Sequence, residues 1–347
     1  MPSPAPGSGL IVRALAFPRH GAPSRVLRLT DFHRPEPGPG QVRVRLSARP
    51  INPSDLLFIQ GSYGREAHFA PRPEMGTRGS GWAVAGFEGA GTVDALGSGT
   101  RGPAPGTMVA VAATGTWQEQ VCVPSTSVIP IAPGVSAEAA CQLTVNPFTA
   151  HLLMRDIALD PGDTLLLTAG ASAVSRMVIH LASKRGLRCL PVVRRRGQAR
   201  ALARLGAQPL TVSSADALAE AVRGTPGHGQ VGMVLDAVGG ALGDAALRCL
   251  RPAGRFLSYG MLSGHPLSIH PDDLVFRQVS VQGFWLPARM EHLGEKELSS
   301  LTREVQDAVV CGLPGLEVAE RHDLTDFGCA LDRAMRPGRE GKVVLTG

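Results

Sequence analysis

Residues 164–186, TLLLTAGASAVSRMVIHLASKRG, set an apolar run, a tight small-residue turn and an amphipathic run in the order a dinucleotide-binding turn requires. The glycine code is degraded: Gly170 is followed by Ala171, Ser172, Ala173, Val174 and Ser175, where G-x-G-x-x-G would place more glycines. Small side chains at Ala173 and Ser175 still permit close backbone approach. A helix beginning near Ser175 would aim amide donors and its positive dipole end at a diphosphate. An ordinary strand-to-helix turn shares this pattern, so a second signal is needed. It comes at the end of the next apolar run, LRCLPVVRRRG, where Arg194, Arg195 and Arg196 stand in the place an NAD site gives to a ribose-binding acid, about 20 residues past the turn. An acid would repel a 2′-phosphate, whereas a planar guanidinium pairs with it bidentately, so the triplet favours NADPH over NADH. A solvated basic cap on a helix is the alternative, and not all three arginines need touch the phosphate.

The chain has just two tyrosines, Tyr63 in QGSYG and Tyr259 in FLSYGM. Its ten histidines show no HxxxH or clustered spacing, and its six cysteines form no CxxC pair and no dense framework. They read as buried thiols in a reducing compartment, and no metal site is expected.

These residues need two kinds of scaffold. With 347 residues, 44% of them hydrophobic, the chain is long enough for two globular domains. Gly 42 and Pro 28 favour short strands and turns over helical bundles. No window approaches the roughly 18–20 apolar residues of a membrane span. The opening MPSPAPGSG has neither the apolar core of a signal peptide nor the arginines of a transit peptide, so it reads as a loose tail on a cytoplasmic protein. The net charge of +6 is dispersed and aromatics are only 4%, which argues against nucleic acid and for an acidic small molecule or acidic carrier protein.

Up to about Cys141 the pattern is β-rich: QVRVRLSARPI alternates, GAGTVDALGSG is a glycine-bounded strand, and GTMVAVAATGTWQEQVCVP reads strand-turn-strand. This half predicts a small twisted β-barrel. After VNPFTAHLLM, strands alternate with helices through VGMVLDAVG and FLSYG, which implies a parallel, doubly wound sheet. One helical segment, EKELSSLTREVQDAVVCG, then precedes a final strand, GKVVLTG, expected to return to the first domain. The expected division is 1–142 with 289–347 for the barrel domain and 143–288 for the cofactor domain.

In order along the chain, INPSDLLFIQGSYG, GFEGAGTVDALGSG, TVNPFTA, TAGASAVS, VVRRR, DAVGG, FLSYGMLSG, VQGFWL and GKVVLTG resemble the medium-chain dehydrogenase/reductase superfamily, and within it the mitochondrial-type 2-enoyl thioester reductases. QGSYG, VNPFTA and GFWL carry the narrower resemblance. It implies an α/β chain with a GroES-like β-barrel and a Rossmann domain, the nicotinamide lying in the cleft between them, and a homodimer. Zinc alcohol dehydrogenases in the superfamily carry a cysteine and a histidine in the neighbourhoods that here read INPSD and GFEGAG. Phe87 stands where that histidine would be, and the first cysteine is Cys122, so the three ligands of a catalytic zinc are missing.

The activity implied is NADPH-dependent reduction of the 2,3-double bond of a trans-2-enoyl thioester on coenzyme A or acyl-carrier protein. Hydride goes to the β-carbon and a proton to the α-carbon, and charge develops on the thioester oxygen, so the site needs a donor aimed there and a proton source. By resemblance Tyr63, protonated at neutral pH, polarises the thioester or donates the proton. Asn146, with Thr149 nearby, holds the carboxamide or the ligand. Tyr259, Gly260 and Met261 follow a strand resembling the nicotinamide-side wall, and Phe284, Trp285 and Leu286 resemble a strand lining the same pocket, one that also pairs across a dimer. Lys342 corresponds to a lysine near the 2′-phosphate. His151 reads as a plain helix residue, and Asp55 as a turn residue of INPSD. Two other readings stay open: a zinc-independent quinone or enone oxidoreductase, and an NADPH-binding sensor or scaffold without catalysis. The segment REAHFAPRPEMGTRGSGWAVAG after Tyr63 is a candidate lid or oligomer contact.

Overall fold

The computed structural model describes residues 10–70, 81–225, 230–336 and 338–347. The N-terminal nine residues and residues 71–80, the middle of the candidate lid segment, lie outside that range. The chain divides into two compact units, residues 1–145 with 316–347, and residues 146–315.

In the first unit, Gln41–Pro50 is the strand around which the main sheet is organised. It pairs antiparallel with Glu88–Leu96, Gln120–Pro124 and the C-terminal strand Lys342–Thr346. Val42, Val44 and Leu46 point into a valine-rich core with Val93, Val109 and Val111. The clean in-out alternation expected of this strand fails because two of its arginines are also buried. Arg43 is held by Asp94 at 2.7 Å, and the guanidinium of Arg49 donates to the carbonyls of Gln118 and Leu46. A polar group enters a core when its hydrogen bonds enter with it. A three-stranded sheet, with Ile11–Phe17 between Arg28–His33 and Ala83–Val84, sits over a second core containing Phe17, Phe58 and Trp117. The return of the C-terminus is direct: Val344, Leu345 and Thr346 face Pro50, Arg49 and Ala48.

The second unit is a parallel sheet with spatial order Leu210–Thr211, Arg188–Val193, Thr164–Leu167, Val231–Asp236, Leu250–Ser258, Ser280–Gly283. Counted from its first strand, this is the 3-2-1-4-5-6 order of a dinucleotide-binding fold. The central strands Leu165–Leu167 and Val231–Asp236 are buried on both faces, as the near-continuous apolar runs require. Residues 289–315 also belong to this unit, which corrects the expected boundary. The helix Glu295–Val310 packs on Asn146–Asp156, with Arg155 donating to Glu304 at 3.1 Å, so the chain leaves the unit only after Gly315. No described helix is long and apolar enough to cross a membrane.

Candidate active site

In an open parallel sheet the ligand crevice lies beyond the carboxyl ends of the strands, where the connections diverge to opposite sides. Here that point falls between Thr164–Leu167 and Val231–Asp236. Ala169, at φ +47°, turns the chain out of the first strand, and the Gly170 amide donates to Val192 O at 3.0 Å. A Cβ on Gly170 would stand 2.6 Å from the Pro191 side chain and 2.9 Å from the Val192 amide, so only glycine lets the turn lie this close to the neighbouring strand. Ser172 caps the helix Ala173–Lys184: its Oγ accepts from the Ser175 amide at 3.2 Å. The first-turn amides at Ala173 and Val174 have no acceptor within the helix, as at any helix start.

Across the divergence point Asp236 is fully buried and acts as the local organiser. Its carboxylate accepts from Thr168 Oγ1 at 2.6 Å and from the amides of Val238 and Gly239, which shapes the DAVGG turn. The DAVGG segment was legible in sequence, but the role of its aspartate was not. Tyr259 is half-buried, donates its amide to Asp236 O and brings its hydroxyl 3.5 Å from Ser175 Oγ. Desolvation raises its pKa, so it stays a neutral phenol. Gly260 packs on the backbone of Ala237, and Met261 is exposed beside it. Phe284 is buried and donates its amide to Ser258 O, but the strand has already ended at Gly283. Trp285 is partly exposed and Leu286 begins a short helix, so residues 284–286 are not the strand the resemblance suggested. Arg194, Arg195 and Arg196 follow the strand Arg188–Val193 and are exposed, with no side-chain ion pair among the described residues. Asn146 and Thr149, one turn apart at the start of Asn146–Asp156, are buried. His151 on the same helix has its Nδ1 2.8 Å from Pro147 O, a plain helix residue as expected.

The first unit carries Tyr63. The helix Pro53–Gln60 ends at Gly61, whose φ of +79° and close approach to the His20 ring suit glycine alone, and Tyr63 follows two residues later. The Tyr63 ring lies 5.1 Å from that of Phe87, which also packs edge-on against Phe58 and carries the Arg65 guanidinium over its face. The histidine position of a zinc dehydrogenase is therefore an aromatic stack, and no group of three potential metal ligands occurs among the described residues.

Behind Phe87 lies a network that sequence reading did not find. Glu88 is 1% exposed, and its carboxylate accepts from Asn52 Nδ2 at 2.8 Å, from the Thr144 amide and hydroxyl at 3.0 and 3.1 Å, and from the Val145 amide at 2.9 Å. Lys342 is 7% exposed and donates to Asn52 Oδ1 at 2.6 Å. Its ammonium is thus enclosed among groups of the first unit. Burial lowers the Lys342 pKa to about 8 and raises that of Glu88. Asp55 is fully buried, accepts from the Asn52 amide at 2.7 Å, and is pushed by burial up to about 8. The cysteines are also less uniform than expected: all six are free, but Cys311 and Cys329 are exposed, and only Cys141 and Cys189 are buried.

Comparison with known proteins fits this geometry. A family pattern described as the alcohol dehydrogenase GroES-like domain matches residues 38–133, and one described as zinc-binding dehydrogenase matches residues 173–303. Fold and site together define a medium-chain dehydrogenase/reductase. The mitochondrial enoyl-acyl-carrier-protein reductase of Homo sapiens is 31% identical over 342 residues, covering 96% of this chain and 88% of the relative. That of Bos taurus is 30% identical over the same coverage. The chain belongs to the family of mitochondrial enoyl-acyl-carrier-protein reductases. Among solved structures, a Bacillus thuringiensis protein provisionally named an NADPH:quinone reductase is similar with a TM-score of 0.86 at 27% identity, covering 98% of this chain and all of that one. The Etr1p/Etr2p heterodimer of mitochondrial 2-enoyl thioester reductase from Candida tropicalis shares the fold, with a TM-score of 0.83 at 24% identity, covering 97% of this chain and 100% of that chain.

Proposed function

We propose that this protein is an NADPH-dependent oxidoreductase acting on CH-CH bonds, reducing the 2,3-double bond of a trans-2-enoyl thioester of coenzyme A or acyl-carrier protein without zinc. The second unit fits the cofactor: the Gly170 turn is a cradle that a Cβ would fill, the capped helix start offers amides, and three exposed arginines with no ion pair among the described residues support 2′-phosphate binding after the next strand. NADPH, when bound, supplies the hydride. Asn146 and Thr149 hold the carboxamide or the ligand, and Tyr259 to Met261 with Phe284 to Leu286 supply apolar walls. Tyr63 either donates a hydrogen bond to the thioester oxygen as it gains charge or gives its proton to the α-carbon.

The observation that carries this reading is the Tyr63–Phe87 stack at 5.1 Å, which supports a phenol donor held beside Phe87, the residue that by resemblance replaces the zinc dehydrogenases' histidine. A quinone or enone reductase is the second reading, favoured by the similarity to the Bacillus thuringiensis protein. NADPH oxidation with a short and a long trans-2-enoyl-CoA, with a quinone in parallel, separates them. Tyr63→Phe is expected to lower enoyl-CoA kcat/KM by roughly a hundredfold to a thousandfold while NADPH affinity holds. Quinone turnover indifferent to the substitution, with enoyl-CoA inert, overturns the thioester reading. NADPH binding with no turnover of any conjugated carbonyl leaves a sensor or scaffold.

A homodimer belongs to the same proposal. The edge strand Ser280–Gly283 is largely exposed and neighbours Leu274, Val275 and Phe276, the last 78% exposed, which supports its pairing with a second copy. The free cysteines support a reducing compartment, which we take to be the cytoplasm, although the named relatives are mitochondrial.

A further inference from the structure

The enoyl reductase reading leaves a buried charge network unused. Glu88, Asn52 and Lys342 come from three segments of the first unit: the strand Glu88–Leu96, the residue preceding the helix Pro53–Gln60, and the C-terminal strand. The Asn52 amide lies between the two charges, Nδ2 on the carboxylate and Oδ1 on the ammonium, so its orientation is fixed by chemistry. Stability alone is a weak reason for such a network. Taking a carboxylate and an ammonium out of water costs more than their attraction readily returns, and an apolar cluster of the same shape often serves as well. What a directional network adds is position.

Two routes run from Glu88 to the residues proposed for the chemistry. Along the first, Glu88 is covalently next to Phe87, on which the Tyr63 ring stacks, while Asn52 begins the helix that leads through Gly61 to Tyr63. Tyr63 is thus set from both sides by groups tied to one carboxylate. Along the second, Glu88 holds Thr144 and the Val145 amide, the last two residues before Asn146. In the neighbourhoods where a zinc dehydrogenase joins two segments through a metal, an amide and a carboxylate join them here.

We infer that Glu88, Asn52 and Lys342 form a positioning network that sets Tyr63 and the start of the Asn146 helix, and that Lys342 acts there rather than on the adenosine 2′-phosphate. The inference rests on the proposed reductase activity for its kinetic readout and on cofactor binding for an independent one.

The test uses Lys342→Met and Glu88→Gln, each alone and combined with Tyr63→Phe. Steady-state kcat and KM are measured with trans-2-enoyl-CoA, and dissociation constants of NADPH and NADH by fluorescence. The expected result is a kcat lowered on the order of tenfold by either substitution, an unchanged NADPH:NADH affinity ratio, and little further loss when Tyr63 is already phenylalanine, because residues acting through one another are not additive. A ratio that falls tenfold or more for Lys342→Met makes Lys342 a phosphate ligand and overturns the inference. Losses that multiply with that of Tyr63→Phe also overturn it, since a general structural defect is indifferent to Tyr63. If Lys342→Met does not fold, Glu88→Gln, which keeps shape and volume, carries the same cycle. If the native protein turns over no enoyl thioester, the proposed function fails, while the affinity ratio still judges Lys342 and the cycle runs on whichever acceptor is reduced.

Discussion

The turn at Gly170 and the network at Glu88 solve the same problem, placing polar groups precisely, by opposite means. The turn uses backbone: a glycine against the next strand, a serine cap, amides at a helix start, and exposed arginines with no ion pair among the described residues. The network uses buried side chains, Glu88 and Lys342 joined through Asn52. The difference teaches which groups are available for binding. Exposed, uncommitted cations suit a charged ligand that arrives and leaves. Enclosed charges suit fixed geometry, and they make the first unit the pH-sensitive one.

The sharpest way to break this contrast is through Asp55. Burial holds its folded-state pKa at about 8, against an ordinary 3.8, so between those values the folded protein keeps a proton that the unfolded chain has released. Its contribution is present in full below the unfolded value and is lost as pH rises toward 8. Asp55→Asn imitates the protonated form and is expected to gain on the native protein with rising pH, by at most about 1.4 kcal/mol per pH unit. Denaturant titrations at pH 5, 6.5 and 8 check this; parallel curves for the two proteins would mean that the network is not dry.

In the second unit the strongest effect is expected from bulk. Gly170→Val drives two γ-carbons toward Pro191 and Val192, with an expected cost of about 1–3 kcal/mol in stability and a larger loss of NADPH affinity. Calorimetric unfolding and a binding titration measure both, and full NADPH affinity in the variant would remove the turn from the site.

A smaller effect is expected at the arginines. Replacing Arg194, Arg195 and Arg196 by glutamine is expected to narrow the NADPH:NADH preference roughly tenfold, about one charge-assisted contact, and to weaken its dependence on salt. Thermal stability should not move, because all three are exposed and none has an ion pair among the described residues. An unchanged preference would leave the triplet as a solvated helix cap.

Much of this was legible in the sequence, for local reasons. The strand-turn-helix at Gly170 and the arginines after the next strand were readable because both depend on neighbours in the chain and on backbone geometry. Three features were not readable. Lys342 looks like a surface lysine before a strand until that strand pairs with Gln41–Pro50 and buries it beside Asn52. Arg49 sits in an alternating segment with nothing to show that carbonyls from Gln118 and Leu46 would receive it. The helix Glu295–Val310 carries no mark of which unit its apolar stripe will join.

By itself the sequence determined the two architectures and their order, because periodicity and turn chemistry are properties of adjacent residues. Only the tertiary structure decided which charges are free and which are enclosed. A lysine 290 residues from its asparagine, and a glutamate 56 residues from the threonine it holds, meet only once distant segments pack together, and long-range packing leaves no local trace in the chain.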